Sequence, residues 1–161
     1  MPNSTRVNST DAKVLLALAE HPRATVVALA GQAGLSRNTV QARLSALDRS
    51  GVVRSFEHCV DPAALGCPLT AFITTQVVQR RLDEVAAALA AVPEVLQAHG
   101  LSGESDLLIQ VAATDADDLY RIAGRILGIG GVEKTSTALV MRQLVGYRVG
   151  PLLRRAAEAS T

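Results

Sequence analysis

Tryptophan is absent from this chain of 161 residues, and only Phe56, Phe72, Tyr120 and Tyr147 carry aromatic rings beyond histidine. Its cores must be built from Ala, Val, Leu and Ile, and base stacking is excluded as a main device for gripping single-stranded nucleic acid. Cys59 and Cys67 are the only cysteines, at a spacing that fits neither a zinc cluster nor a Cys-x-x-Cys redox pair. Reduced thiols in a cytoplasmic setting are the expectation. The longest apolar run, Val85 to Val92, falls far short of the roughly 20 residues that cross a bilayer, so no membrane association is expected. Met1 to Arg6 is polar with no apolar stretch behind it, unlike a secretory signal. A net charge of +1 excludes a polycationic nucleic-acid coat while leaving room for a local basic patch. His21, His58 and His99 are scattered without metal-ligand spacing, and no paired catalytic acids or phosphate-cradling glycine loop appears. No catalytic residue, metal or cofactor is expected.

What is present is apolar and patterned. Hydrophobic residues make up 48% of the chain, enough for one ordinary core or two small ones, since domains can be as short as roughly 50 residues. Residues 1–61 hold seven Lys/Arg against five Asp/Glu, and 62–161 hold nine against ten, so the N-terminal part is modestly the more basic. A first helix is predicted from an N-cap at Thr10 to a stop before Pro22, with Val14, Leu15 and Leu18 on one face. A second runs from about Thr25 to Ala33. Gly34 supplies a turn, Leu35 plugs the core, and Ser36 caps a third helix that reaches Ser50 and closes on Gly51. Two helices joined by a short Gly-containing turn, with small residues where they cross, form a helix-turn-helix.

Val40, Leu44 and Leu47 make one stripe of the third helix, leaving Asn38, Ala42, Ser45 and Arg49 on the opposite face and Gln41 at its margin. Asn and Gln can read adenine edges, Arg can read guanine or hold phosphate, and a small Ala lets a helix sit deep in the major groove of double-stranded DNA. Arg37 and Thr39 near the helix start can also reach phosphates, and the capping Ser36 is counted with them among the DNA-binding residues. Arg43 lies nearer the buried flank, suited to packing or phosphate contact. The alternative is that Asn38, Gln41 and Arg49 merely solvate a surface helix. Val52 to Phe56 reads as the strand of a wing whose Arg54 meets the DNA backbone, or is a plain surface charge.

Pro62, Gly66 and Pro68 mark a linker, after which the periodicity changes. Phe72/Ile109, Leu82/Leu119, Val85/Ile122, Leu89/Ile126, Val92/Ile129 and Val95/Val132 each differ by 37 positions, which indicates a duplicated unit. Each copy reads strand, helix, strand: 71–78, 83–91 and 95–101, then 107–113, 115–127 and 132–144. Two such halves give a ferredoxin-like βαββαβ sandwich. The class is therefore α+β: a winged helix-turn-helix domain over 1–55, a linker over 56–68, and a ferredoxin-like effector-binding and oligomerisation domain over 69–161. The strand from Leu107 to Ala113 is apolar on nearly both faces although helices cover only one, so a second copy of the sheet is expected on the other, as a homodimer. A dimer also presents two heads to two half-sites. Leu152 to Thr161 reads as a short helix or a loose tail.

The ordered set of local motifs resembles the Lrp/AsnC, or feast/famine, family of transcriptional regulators across essentially the whole chain. The matching pieces are Asp11 with Val14 and Leu15, Gly34-Leu35-Ser36, Arg43 with Leu47, Gly51-Val52-Val53, Asp61-Pro62 to Gly66, Pro93-Glu94-Val95, and Gly103-Glu104-Ser105-Asp106. The resemblance implies a winged head, a ligand-sensing sandwich, dimers paired through their sheets, often an octamer of four dimers, and an amino-acid effector bound between dimers. The family's Gly-x-x-Asp loop falls on Gly103 to Asp106, with Ser105 where the family often has Tyr. There Gly100 and Gly103 permit close backbone approach, so free N–H groups can hold a carboxylate while Asp106 meets an ammonium. A simple turn, with Asp106 bonding its own backbone, is the plain alternative. Thr135, Ser136 and Thr137 are placed near the same pocket, through a neighbouring dimer, by the resemblance alone. Two other functions are open: a decarboxylase-type enzyme, which the resemblance implies through a similar branch, and an architectural DNA-binding protein that answers to no ligand.

Overall fold

The computed structural model describes residues 7–159, which fall into two units: one built from the chain up to His58 together with the segment from Val145 onward, the other from Cys59 to Leu144. In the first, helix α1 spans Ser9–Glu20, α2 Val26–Ala33 and α3 Arg37–Arg49. Asn8, rather than the expected Thr10, opens α1. Its side chain accepts from Asp11 N at 2.9 Å, while Asp11 Oδ2 accepts from Asn8 N at 3.2 Å. This reciprocal capping box starts the helix two residues earlier than Thr10, because it satisfies two of the first-turn N–H groups at once. Helix α2 begins on Thr25, whose hydroxyl accepts from Ala28 N.

The turn between α2 and α3 depends on Gly34 at φ 64°, a left-handed conformation that costs a side-chain-bearing residue far more than glycine. It lets Leu35 N donate back to Ala30 O at 3.0 Å and drops Leu35 onto the core. That core is Val14, Ala17, Leu29, Ala30 and Val40, flanked by Leu18, Ala24, Val26, Ala33, Leu35 and Leu44. The alanines allow the helices to cross closely. After α3, Gly51 N donates to Asp48 O and Val52 N to Leu47 O, closing the helix end as expected.

The expected wing strand is a correction. Val52 to Ser55 is irregular and Phe56–Cys59 is a single 3₁₀ turn. A strand needs a neighbour to complete its ladder, and within one chain this stretch has none. From Val145 onward the chain groups with the first unit, and it forms helix α6 over Gly150–Glu158. Pro151 sits in the first turn, where its missing N–H costs nothing. Ser9 Oγ donates to Ala157 O at 2.9 Å, tying α6 to α1.

The second unit opens with the 3₁₀ turn Pro62–Leu65, capped by Asp61, inside what the sequence marks as a linker. Strands β1 (Leu69–Val77), β2 (Val95–Gly100), β3 (Leu107–Ala113) and β4 (Val132–Leu139) then form an antiparallel sheet in the order β2-β3-β1-β4. Helices α4 (Leu82–Ala90) and α5 (Ala116–Leu127) contribute Val85, Leu89, Ile122 and Ile126 to a core with Ala71, Ile73, Val77, Leu107, Ile109, Val111 and Ala113. This is the ferredoxin-like sandwich. Strand β4 ends at Leu139, short of the expected 144.

The duplication is real in the helices but slips in the strands. Val85 and Leu89 are buried like Ile122 and Ile126, 37 positions later. Phe72, however, is only half-buried and alternates away from the buried Ala71 and Ile73, whereas Ile109 is fully buried. The counterpart of Ile109 is Ile73, 36 positions earlier and directly paired with it. A one-residue offset between strand and helix must change the face a side chain occupies, because strand periodicity is two.

Candidate DNA-reading helix and sensing loop

Helix α3 is fixed at both ends before it meets anything. Ser36 Oγ accepts from Thr39 N at 3.1 Å and lies 2.8 Å from Thr39 Oγ1, so these hydroxyls are occupied in starting the helix. The remaining first-turn N–H groups still point outward there, suited to a phosphate. Behind the helix, Arg43 reaches to 3.6 Å from the buried carboxylate of Asp11, joining α3 to α1. The pairing takes the packing option the sequence left open for Arg43, and nothing in the sequence spacing identified its partner.

Val40 and Leu47 are buried, as the stripe required. Asn38, Gln41, Ala42 and Arg49 are exposed along the other side with Arg37 beside them, while Ser45 and Thr39 are half-buried. Asp48 is exposed at the margin. Two amides and a guanidinium therefore stand together on a rigid, doubly anchored helix, with an alanine between them. Arg54 is exposed too, but its guanidinium lies over the Tyr147 ring, 5.9 Å from the centroid. That partner comes from the return segment, which sequence proximity does not reveal.

The β2–β3 connection is held by more bonds than a simple turn. Leu101 N donates to Asp106 O, and Asp106 N donates to Thr75 O on β1, both at 2.8 Å. The Asp106 carboxylate accepts from Val77 N at 2.8 Å through Oδ2 and from Gln79 Nε2 at 2.6 Å through Oδ1. Gln76 Nε2 donates to Glu104 O at 3.0 Å. Asp106 thus braces the loop against β1 instead of bonding its own turn. Gly103 has φ 142°, open to glycine, and Gly100 is in register with Leu107. The Glu104 and Ser105 side chains make no hydrogen bond among the described residues.

Thr135, Ser136 and Thr137 do not share a face. In register with Thr75 and Ile73, Thr135 and Thr137 lie on the helix side, and Ser136 alternates to the other side with Thr74. Thr135 flanks Thr75 across β1 from the loop, so the two stretches border one segment of β1 within a single chain. Thr75 itself is buried, and its Oγ1 has no hydrogen-bond partner among the described residues. Two shallow clefts are lined by head residues, one running from Glu20 to Ala24 with Ala28 and Gln32, the other between Val7–Ser9 and α6; neither touches the loop.

Beyond the loop, Glu94 at the start of β2 meets Arg121 of α5 at 2.5 Å, Arg121 meets Asp118 at 2.6 Å, and Arg125 stands 3.9 Å from Glu94. The hydrogen bond from Arg121 holds the Glu94 carboxyl below its ordinary range. For Asp118 the bond from Thr114 N is the leading cause of the same displacement, with Arg121 second.

A helix-turn-helix head with an exposed amide-rich third helix, joined to a separate ferredoxin-like unit, defines a DNA-binding transcriptional regulator. The chain matches the winged helix-turn-helix DNA-binding domain over residues 7–54 and the Lrp/AsnC ligand-binding domain over residues 70–149. It is 33% identical to the HTH-type transcriptional regulator Rv2324 of Mycobacterium tuberculosis, over 87% of this chain and 95% of that protein. The crystal structure of the transcriptional regulator NMB0573 in complex with L-Met, from Neisseria meningitidis, aligns at 28% identity with a TM-score of 0.78, covering 88% of this chain and 94% of that one. E. coli AsnC, at 23% identity and TM-score 0.81, shares the fold over 91% of this chain and all of its own. The chain belongs to the Lrp/AsnC family of transcriptional regulators.

Proposed function

We propose that this regulator reads an operator in double-stranded DNA through Asn38, Gln41, Ala42, Ser45 and Arg49, with Ser36, Arg37, Thr39 and Arg54 placed toward phosphates. The observation that carries the reading is the exposed polar face of α3, fixed by Ser36 at one end and by the Asp11–Arg43 pair behind. We assign a small effector, an amino acid, to the loop from Gly100 to Asp106, with Glu104 and Ser105 free to face it. Asp106 holds the loop in shape and Thr135 borders the same stretch of β1. The loop is exposed from Gly100 to Glu104, which suits a pocket completed by a neighbouring copy. The uncovered sheet face carries Phe72, Thr74, Gln76, Leu108 and Gln110, a mixed surface suited to pairing with itself in a homodimer, and further assembly to an octamer is the extension of that arrangement.

The test is a gel-shift titration with DNA from upstream of the protein's own gene, random competitor, and each common amino acid in turn. A specific shift altered by one amino acid supports both assignments. A specific shift indifferent to all of them removes the amino-acid effector. Equal binding to operator and random DNA favours the architectural alternative.

A further inference from the structure

The segment from Val145 onward is the part of the head that no sequence signal assigned to DNA. Helix α6 lies beyond the residues matched to either domain, yet it is fastened to α1 and grouped with the reading helix. Its return raises the net charge of the head from +3 to +5. With it, the head holds ten Lys/Arg against five Asp/Glu, and the sheet unit six against ten. The net charge of +1 conceals a head near +5 and a sheet unit near −4.

The added charge is concentrated. Arg148, Arg154 and Arg155 are exposed, and none forms an ion pair among the described residues. Arg154 folds back toward the start of α6, where a Cβ on Gly150 would stand 3.8 Å from its guanidinium. A cation at the positive end of a helix, with no acid in the first turn, is unfavourable unless an anion joins it. Tyr147, just before, lies under Arg54. Three exposed, unpaired arginines on one short return segment, which meets Arg54 through Tyr147, are complementary to a polyanion.

We propose that Arg148, Arg154 and Arg155 form a second phosphate-binding strip beside Arg54, engaging the DNA backbone outside the bases that α3 reads. The proposal rests on the DNA-reading function assigned above. The acidic sheet unit of a second copy is the competing occupant; DNA is favoured because the strip belongs to the same unit as α3 and travels with it.

The experiment is the salt dependence of binding for wild type and for R148Q/R154Q/R155Q, on a duplex from upstream of the gene and on a random duplex. The expected result is a weaker variant on both duplexes alike, with the preference for operator retained. The slope of log K against log salt should become shallower by about 0.9 for each phosphate no longer neutralised. R155Q alone, which leaves Arg154 in place, should lower it by about 0.9 at most, with thermal unfolding unchanged. Wild-type binding with an unaltered slope in the triple variant overturns the strip alone. An unaltered slope accompanied by loss of self-association in light scattering gives the strip to a second copy. Failure of the wild type to bind any DNA overturns the DNA reading and the strip with it.

Discussion

At the scale of single residues, the amides and the guanidinium of α3 allow base reading to be told from backbone holding. Asn38→Ala or Arg49→Ala is expected to cost about 1–3 kcal/mol of operator binding if the residue reads a base, measured by titration against operator and random DNA. Equal losses on both would assign it to phosphate. Asp106 makes a different kind of prediction, because its two oxygens hold Val77 N and Gln79. Asp106→Ala should destabilise the sheet unit by about 1–2 kcal/mol in urea unfolding, with no amino acid present. A variant as stable as wild type would mean that the brace is dispensable and that the residue is free for a ligand. The sequence exposed Asp106 as part of a Gly-x-x-Asp loop but not what it bonds, since Val77 and Gln79 lie almost thirty positions earlier.

Among the elements, most whose start and stop signals are local were legible in advance, the Asn8–Asp11 cap of α1 excepted. Ser36 and Gly51 bracket α3, Gly34 makes the turn, and the apolar spacing of α4 and α5 marks their buried faces. Two segments whose state or packing depends on distant partners were not. The wing fails as a strand because it has no ladder neighbour in the chain, and α6 takes its place from α1. Its Pro at the first turn and paired leucines were a signal for a helix, though not for where that helix packs. The start of β2 shows how a long-range tie is held: Glu94 and Asp118 share Arg121 of α5. Both carboxyls are displaced below their ordinary values of 4.5 and 3.8, so they contribute stability above those values and lose it as pH falls through the lower folded ones. The melting temperature should therefore be insensitive to these groups near neutrality and fall in acid below about pH 4.5. Arg121→Ala should reduce that acid-induced loss; a variant that loses stability in acid as steeply as wild type would show the network to be incidental.

For the whole molecule, self-pairing through the open sheet face gives the clearest test. Phe72→Glu places a charge at the middle of that face without entering the helix-side core, since Phe72 alternates away from Ile73. Light scattering should report monomers, with circular dichroism unchanged. Dimers that persist would put the interface elsewhere. The larger division into a DNA-binding head and a duplicated sandwich was evident in the periodicity and in the ordered motifs. The discontinuity of the head was not, because a boundary drawn from composition assumes that each unit is one stretch of chain. That discontinuity also orders events during synthesis. The sheet unit lies between the two pieces of the head, so a ribosome must finish the sandwich before α6 can reach α1. A nascent chain interrupted inside the sandwich carries α3 but lacks the arginines of the return segment, so the proposed strip would confer full DNA affinity only on chains that already possess their sheet unit.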